Sequence, residues 1–209
     1  MPTKNKAGIQ KEDSYGGMIT REQFLFHEMR TTARLYCRGF SREEIIRIIT
    51  EENLFQYPSE KMIKNLAGVC LKRLDTLEDE GLIEAIATES ASCAKQICLY
   101  AMMRQYPIVR DFMINIIGEK YRTMNLSYSR ADLNVFFYRL QEQDNRVAAW
   151  SDSTVQKIKQ VLNKLLADIN YLETIRSTTL NPVWISPILE TAIRAKGDTR
   201  ALAAFNCFL

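Results

Sequence analysis

Ser151-Asp152-Ser153-Thr154-Val155-Gln156-Lys157-Ile158-Lys159-Gln160-Val161-Leu162-Asn163-Lys164-Leu165-Leu166-Ala167 is the stretch on which the fold reading turns. Val155, Ile158, Leu162, Leu165, Leu166 and Ile169 recur three or four residues apart, which commits one side of a helix to a core. Ser151 or Asp152 supplies its N-cap, and the helix is expected to reach about Asn170. The opposite side carries Ser153, Thr154, Gln156, Lys157, Gln160, Asn163 and Lys164, with Lys159 on the flank. From Ser153 to Ala167 there are three lysines and no acidic residue. Lys157 and Lys164 lie two turns apart and project alike, so each can meet a phosphate, while Gln156, Gln160 and Asn163 carry the paired donors and acceptors that suit base edges.

Upstream, Ser129 with Asp132 has the spacing of a helix cap, and a helix to Gln143 buries Leu133, Phe136, Phe137 and Leu140. A brief connector holding Ala148, Ala149 and Trp150 then gives helix, turn, helix. Downstream, Thr174-Ile175-Arg176 and Val183-Trp184-Ile185 favour strands around Ser177 to Pro182, which predicts a two-stranded wing. Arg176, Thr178 and Thr179 would then reach a nucleic-acid backbone, or the hairpin would simply cover the core.

The amino-terminal half repeats the pattern. Phe24, Leu25, Met29, Ala33, Leu35 and Tyr36 predict a helix over 21–38. Ser41 and Glu44 have capping-box spacing before a short helix buried through Ile45, Ile46, Ile48 and Ile49. Ser59 opens a longer one with Met62, Ile63, Leu66, Ala67, Cys70, Leu71 and Leu74 on its inner side. Its outer side is read as Lys61, Lys64, Asn65, Lys72 and Arg73, a second basic face or an ordinary solvated flank. Residues 76–87, 91–105 and 107–122 each fit an amphipathic helix, Pro107 standing where a first-turn proline is favoured.

Eight glycines and five prolines in 209 residues, with 46% hydrophobic content, favour an all-α fold: a helical bundle with helix-turn-helix or winged-helix elements and a small β hairpin. The organisation expected is a tail over 1–18, a helix-turn-helix-like region over 19–88, a central bundle over 89–128, and a winged-helix-like region over 129–209 whose apolar end docks. No apolar run approaches the roughly 20 residues of a membrane span, and no export signal is visible, so a cytoplasmic protein is expected. The five cysteines show no C-x-x-C spacing and there is one histidine, so a zinc site is not expected and Cys37 and Cys70 read as buried thiols. His27 reads as a packed residue rather than a base. The tyrosines Tyr100, Tyr106, Tyr121, Tyr128 and Tyr138 read mainly as core. No phosphate loop, carboxylate pair or metal spacing is present, so neither an enzyme nor a cofactor is expected. The net charge of +3 is too small to name a partner without the local distribution.

Several stretches together resemble one family. Glu51-Glu52-Asn53-Leu54-Phe55-Gln56-Tyr57-Pro58-Ser59, Leu99-Tyr100-Ala101-Met102-Met103-Arg104, Phe112-Met113 with Ile117-Gly118-Glu119-Lys120-Tyr121-Arg122, Ala149-Trp150-Ser151-Asp152-Ser153-Thr154 and Leu202-Ala203-Ala204-Phe205-Asn206-Cys207-Phe208 resemble the BrxA family of bacterial BREX phage-defence systems, from about residue 19 onward. The resemblance implies a small all-α protein with winged-helix character, likened to the antitermination protein NusB, that binds double-stranded DNA beside other BREX proteins. It carries over no contact residues. From the residues themselves, the expectation is sequence-tolerant DNA binding by the 153–167 helix and Arg176, aided by Lys61, Lys64, Lys72 and Arg73 if the two basic faces are coplanar. RNA binding in the manner of the antitermination protein, or a scaffolding role among defence proteins, are the alternatives.

Overall fold

The computed structural model describes residues 15–208. Among them the chain is helical almost throughout: α1 (Phe26–Cys37), α2 (Arg42–Glu51), α3 (Glu60–Leu77), α4 (Glu80–Thr88), α5 (Ala91–Gln105), α6 (Pro107–Phe112), α7 (Glu119–Arg122), α8 (Arg130–Gln143), α9 (Asn145–Ala148), α10 (Asp152–Asp168) and α11 (Pro187–Ala195). Short 3-10 segments cover Gly17–Thr20 and Thr199–Phe205. The all-α expectation holds. Buried side chains from Ile19 to Phe205 form one contiguous cluster. Helices α1, α2 and α3 pack on one another, α4 and α5 close over α1 and α3, and α11 lies against α4 and α5.

Both capping boxes form. The Ser41 side chain accepts from the Glu44 amide and the Glu44 carboxylate from the Ser41 amide, and Ser129 with Asp132 repeats the exchange. Each satisfies amide donors that a helix start otherwise leaves open. Ser59 occupies the cap position of α3 without making a side-chain cap bond. The helix expected over 76–87 is instead divided, because Glu78 turns left-handed (φ 49°) and Asp79 caps α4 through the Leu82 amide.

The first helix begins five residues later than expected, and Arg73 is the reason. This residue of α3 is 1% exposed, so it is no part of an outer basic face. Its guanidinium donates to the carbonyls of Phe24 (3.0 Å) and Glu22 (2.6 Å), sits near the Tyr106 hydroxyl (3.4 Å), and lies 5.3 Å from the Tyr106 ring centre. Within a helix starting at 21 those carbonyls would accept from amides four residues on. Taken by Arg73, they hold 21–25 as a strap, and Leu25 turns left-handed (φ 56°) before α1 starts. Of the tail expected over 1–18, residues 1–14 lie outside the described residues. Tyr15 already packs on the core and its hydroxyl donates to Asp111.

Residues 107–122 form one helical run, as expected, but its middle, Met113–Gly118, widens to π-type turns. The carboxy-terminal 3-10 segment docks there, burying Ala201, Leu202, Ala204 and Phe205. Gly118 allows this approach: a Cβ on it would lie 2.9 Å from the Ala203 carbonyl oxygen.

The expected hairpin does not form. Residues 174–177 close a tight turn, and the extended residues 178–180 pair with 126–128 instead, through Tyr128 N to Thr178 O (2.9 Å) and Leu180 N to Leu126 O (2.8 Å). Residues 183–185 are held by side-chain amides rather than by a strand. β-favouring composition reports a half-buried extended chain but not its partner, and Tyr128 and Leu180 are both buried by this pairing.

Three smaller expectations need correction. Cys37 is exposed at the end of α1, whereas Cys70 is fully buried and burial pushes its thiol up to about 12. Tyr138 faces solvent on α8, unlike Tyr100, Tyr106, Tyr121 and Tyr128, which are core. His27 is exposed, its Nε2 3.4 Å from the Leu54 carbonyl.

Two substitutions test this account by chemical denaturation. Arg73→Leu leaves the Glu22 and Phe24 carbonyls without their donor and is expected to cost about 3 kcal/mol; unchanged stability would show that the strap is held elsewhere. Gly118→Val forces the docked segment off Met113–Gly118 and should cost about 1–3 kcal/mol while exposing residues 199–208 to limited proteolysis.

Candidate nucleic-acid interface

The α10 sequence buries Val155, Ile158, Val161, Leu162, Leu165 and Leu166, which fixes the rotation of the helix and hence what faces out. Ser151 caps it through the Thr154 amide. On the outer side Ser153, Gln156, Lys157, Gln160 and Lys164 are exposed, and their spacing, with 153, 156, 160 and 164 at three- and four-residue steps and Lys157 beside Gln156, sets them along a single stripe. Gln156, Lys157 and Gln160 make no side-chain hydrogen bond or ion pair with other described residues, and Ser153 bonds only the Ser151 hydroxyl (3.0 Å). Lys164 pairs with Asp168 at 2.7 Å, one turn on, and borders a separate hollow of about 370 Å³ beside His27, Tyr57 and Lys95.

Two of the expected contact residues have partners within the fold. Lys159 donates to Asn134 of α8 (2.9 Å) with its ammonium 5.3 Å from the Phe137 ring centre, which ties α8 to α10. Asn163 donates to the Ile175 carbonyl (2.8 Å) and so holds the 174–177 turn against α10. That tether places the exposed Arg176 beside the end of the stripe.

The α3 residues divide in the same way. Lys61, Lys64 and Lys72 are exposed, and Arg73 is buried as described. Lys64 is 3.6 Å from Glu60, an exposed pair of little energetic weight. Lys61, Asn65, Val69 and Lys72 follow helical spacing along one edge of α3.

That edge borders a groove of about 1100 Å³. Its walls are the Gly17–Thr20 segment, with Met18 and Thr20; the strap, with Arg21, Glu22 and Gln23; the first turns of α3, with Lys61, Met62 and Asn65; and Thr154 from the start of α10. The start of α10 thus meets the α3 edge through the Gly17–Thr20 segment, which packs on α10, and a Cβ on Gly17 would lie 3.8 Å from the Thr154 methyl carbon. The carboxylate of Glu22 is directed at the Tyr106 hydroxyl, which leaves Arg21 and Lys61 as the groove's outward charges. Arg21 escaped sequence reading because it stood at an apparent helix start.

Among the described residues no group of three or more His, Cys, Asp or Glu side chains is placed to hold a metal ion, and no helix is long and apolar enough to cross a membrane.

Comparison with known proteins agrees with this architecture. A crystal structure of an uncharacterized protein from Magnetospirillum magneticum shares the fold, with a TM-score of 0.77 over 91% of this chain and 97% of that one at 19% identity. The BREX protein BrxA of Bacillus cereus (strain H3081.97) is 34% identical over 163 residues, covering 78% of this chain and 81% of that protein. The BREX protein BrxA of Escherichia coli O9:H4 (strain HS) is 24% identical over 190 residues, covering 91% and 89%. Residues 13–197 match the family described as BrxA, and with that match spanning most of its length the chain belongs to the BrxA family.

Proposed function

We propose that this chain is a non-catalytic DNA-binding component of a BREX phage-defence system, acting in the cytoplasm beside other BREX proteins. The BREX assignment rests on its relatives, which carry the name BREX protein BrxA. The DNA assignment rests on one observation: Lys61 of α3 and Thr154 of α10 line the same groove, so the first turn of α10, where the polar stripe begins, lies on the same side of the molecule as the basic edge of α3.

On this reading α8, α9 and α10 act as a helix-turn-helix in which α10 is the recognition helix. Lys157 and Lys164 lie toward phosphates, and Gln156 and Gln160 toward base edges. Lys61, Arg21 and Lys72 extend the phosphate track along α3, and Arg176 extends it past the far end of α10. The 174–177 turn takes the place of a wing tip in a winged-helix arrangement without a hairpin. About three to six phosphate contacts give affinity in the roughly micromolar range, with little sequence preference and a steep salt dependence. Duplex DNA is favoured over RNA because the free side chains lie on a helix stripe rather than on an aromatic platform for unpaired bases.

Anisotropy titrations at several salt concentrations test this. The Lys61→Glu, Lys157→Glu double variant is expected to lower duplex affinity at least about tenfold and to reduce the log–log salt slope by about 2, with single-stranded RNA a poor competitor. Unchanged affinity and slope would sink the assignment, and preferential competition by RNA would transfer the face to the other polymer.

A further inference from the structure

Three charged side chains line the groove between the strap, α3 and the start of α10: Arg21, Glu22 and Lys61. Arg21 and Lys61 are exposed and make no ion pair among the described residues. Glu22 is half-buried, and the direction its carboxylate takes sets the field inside the groove. Turned outward it would offset one of the two cations and repel a phosphate, whereas held away it leaves both cations unopposed.

Two residues hold Glu22 at both ends. The Arg73 guanidinium donates to its carbonyl (2.6 Å), and the Tyr106 hydroxyl donates to its carboxylate. Tyr106 stands at the join of α5 and α6, is 7% exposed and does not line the groove. Arg73 Nη2 approaches the Tyr106 oxygen at 3.4 Å, and a guanidinium can only donate. The phenolic proton therefore needs an acceptor elsewhere, and it finds the Glu22 carboxylate, whose charge strengthens the bond.

We propose that Tyr106 is a positioning residue for the groove: its hydroxyl holds the Glu22 carboxylate off the phosphate path, so that Arg21 and Lys61 meet an anionic backbone unopposed. This rests on the reading of the groove as part of the DNA site and adds to it a residue that touches no DNA. The effect runs through charge. Without the hydroxyl the carboxylate would face the edge of an apolar ring, and a charge so placed moves to water and to the cations beside it. Tyr106→Phe isolates this effect, because it keeps the ring 5.3 Å from the guanidinium and leaves Arg73 its two carbonyls.

A double-mutant cycle of Tyr106→Phe and Glu22→Gln on the full chain, read by duplex-DNA anisotropy at several salt concentrations, tests the proposal. Tyr106→Phe should weaken duplex binding at least about threefold and lower the log–log salt slope by about 1. Glu22→Gln alone should stay within about twofold of the parent, and adding it to Tyr106→Phe should restore the parent's affinity and slope. Rescue by removing a carboxylate distinguishes positioning from a general loss of structure, which glutamine at 22 would not repair. Parent-like binding by Tyr106→Phe, no rescue in the double variant, or an equal gain from Glu22→Gln in both backgrounds overturns the proposal.

A readout without DNA separates this from the DNA assignment. The thiol of Asn65→Cys, on the exposed edge of α3 that lines the groove, reports the local potential through the pH dependence of its alkylation, followed by mass spectrometry of its peptide. Tyr106→Phe should raise the apparent pKa of that thiol by at least about 0.3, and Glu22→Gln should return it. In a chain that binds no duplex, this shift leaves the positioning of Glu22 standing and sinks the DNA reading alone, while an unmoved thiol overturns the proposal.

Discussion

A buried guanidinium organises the amino-terminal half. Among the described residues Arg73 has no carboxylate in ion-pair contact; the Glu22 and Phe24 carbonyls and the Tyr106 ring compensate its charge. A cation out of water requires partners, and backbone carbonyls can serve only if they are released from helix hydrogen bonds. The strap over 21–25 is therefore a consequence of the charge on α3, and so are the left-handed Leu25 and the start of α1 at Phe26. The strap is also a wall of the groove between α3 and the start of α10. Burial drives the Tyr106 phenol upward, its bond to the Glu22 carboxylate acting the same way and Arg73 acting against both, so Tyr106 stays a neutral donor that keeps the Glu22 carboxylate turned inward.

Charge is segregated by element rather than by total. Residues 153–167 have lysines and no acids, and 79–90 have acids and no bases, although Arg30, Arg34 and Lys196 from other elements stand against the latter segment. Most surface ion pairs here are local, as between Arg194 and Glu190 or Arg122 and Glu119, and contribute little to stability. What they do is neutralise. The stripe with Lys157 keeps an unneutralised charge among the described residues and can exert a field on a partner.

Where structure follows from local pattern, the sequence was readable. The apolar stripe of α10, both capping boxes and the uninterrupted run from Pro107 depend on residues within one or two turns. What escaped depended on contacts across the chain. Arg73 was read as surface because lysines surround it, although it stands three residues after Cys70 and seven after Leu66, on the buried stripe of α3. Its spacing carried the correct signal and its charge obscured it. Residues 178–180 found their partner about fifty residues upstream, in 126–128, which no neighbouring residue announces. Thr154 was readable as polar, but its place on the groove that Lys61 also lines depends on the Gly17–Thr20 segment, which packs on α10.

A polar side chain on a helix can act within the fold or outward, and hydrogen-bond partners separate the two cases. Lys159 and Asn163 have fixed partners in Asn134 and the Ile175 carbonyl. Redirecting either to a ligand would forfeit that bond and loosen α8 or the 174–177 turn. Gln156, Lys157 and Gln160 have no such bond to lose among the described residues, so engaging a ligand costs them side-chain freedom and hydration alone. The committed residues still matter to the free ones. By fastening α8 and the turn to α10, they make the stripe part of a rigid surface, so side chains two turns apart keep the spacing that a regular polymer would require of them.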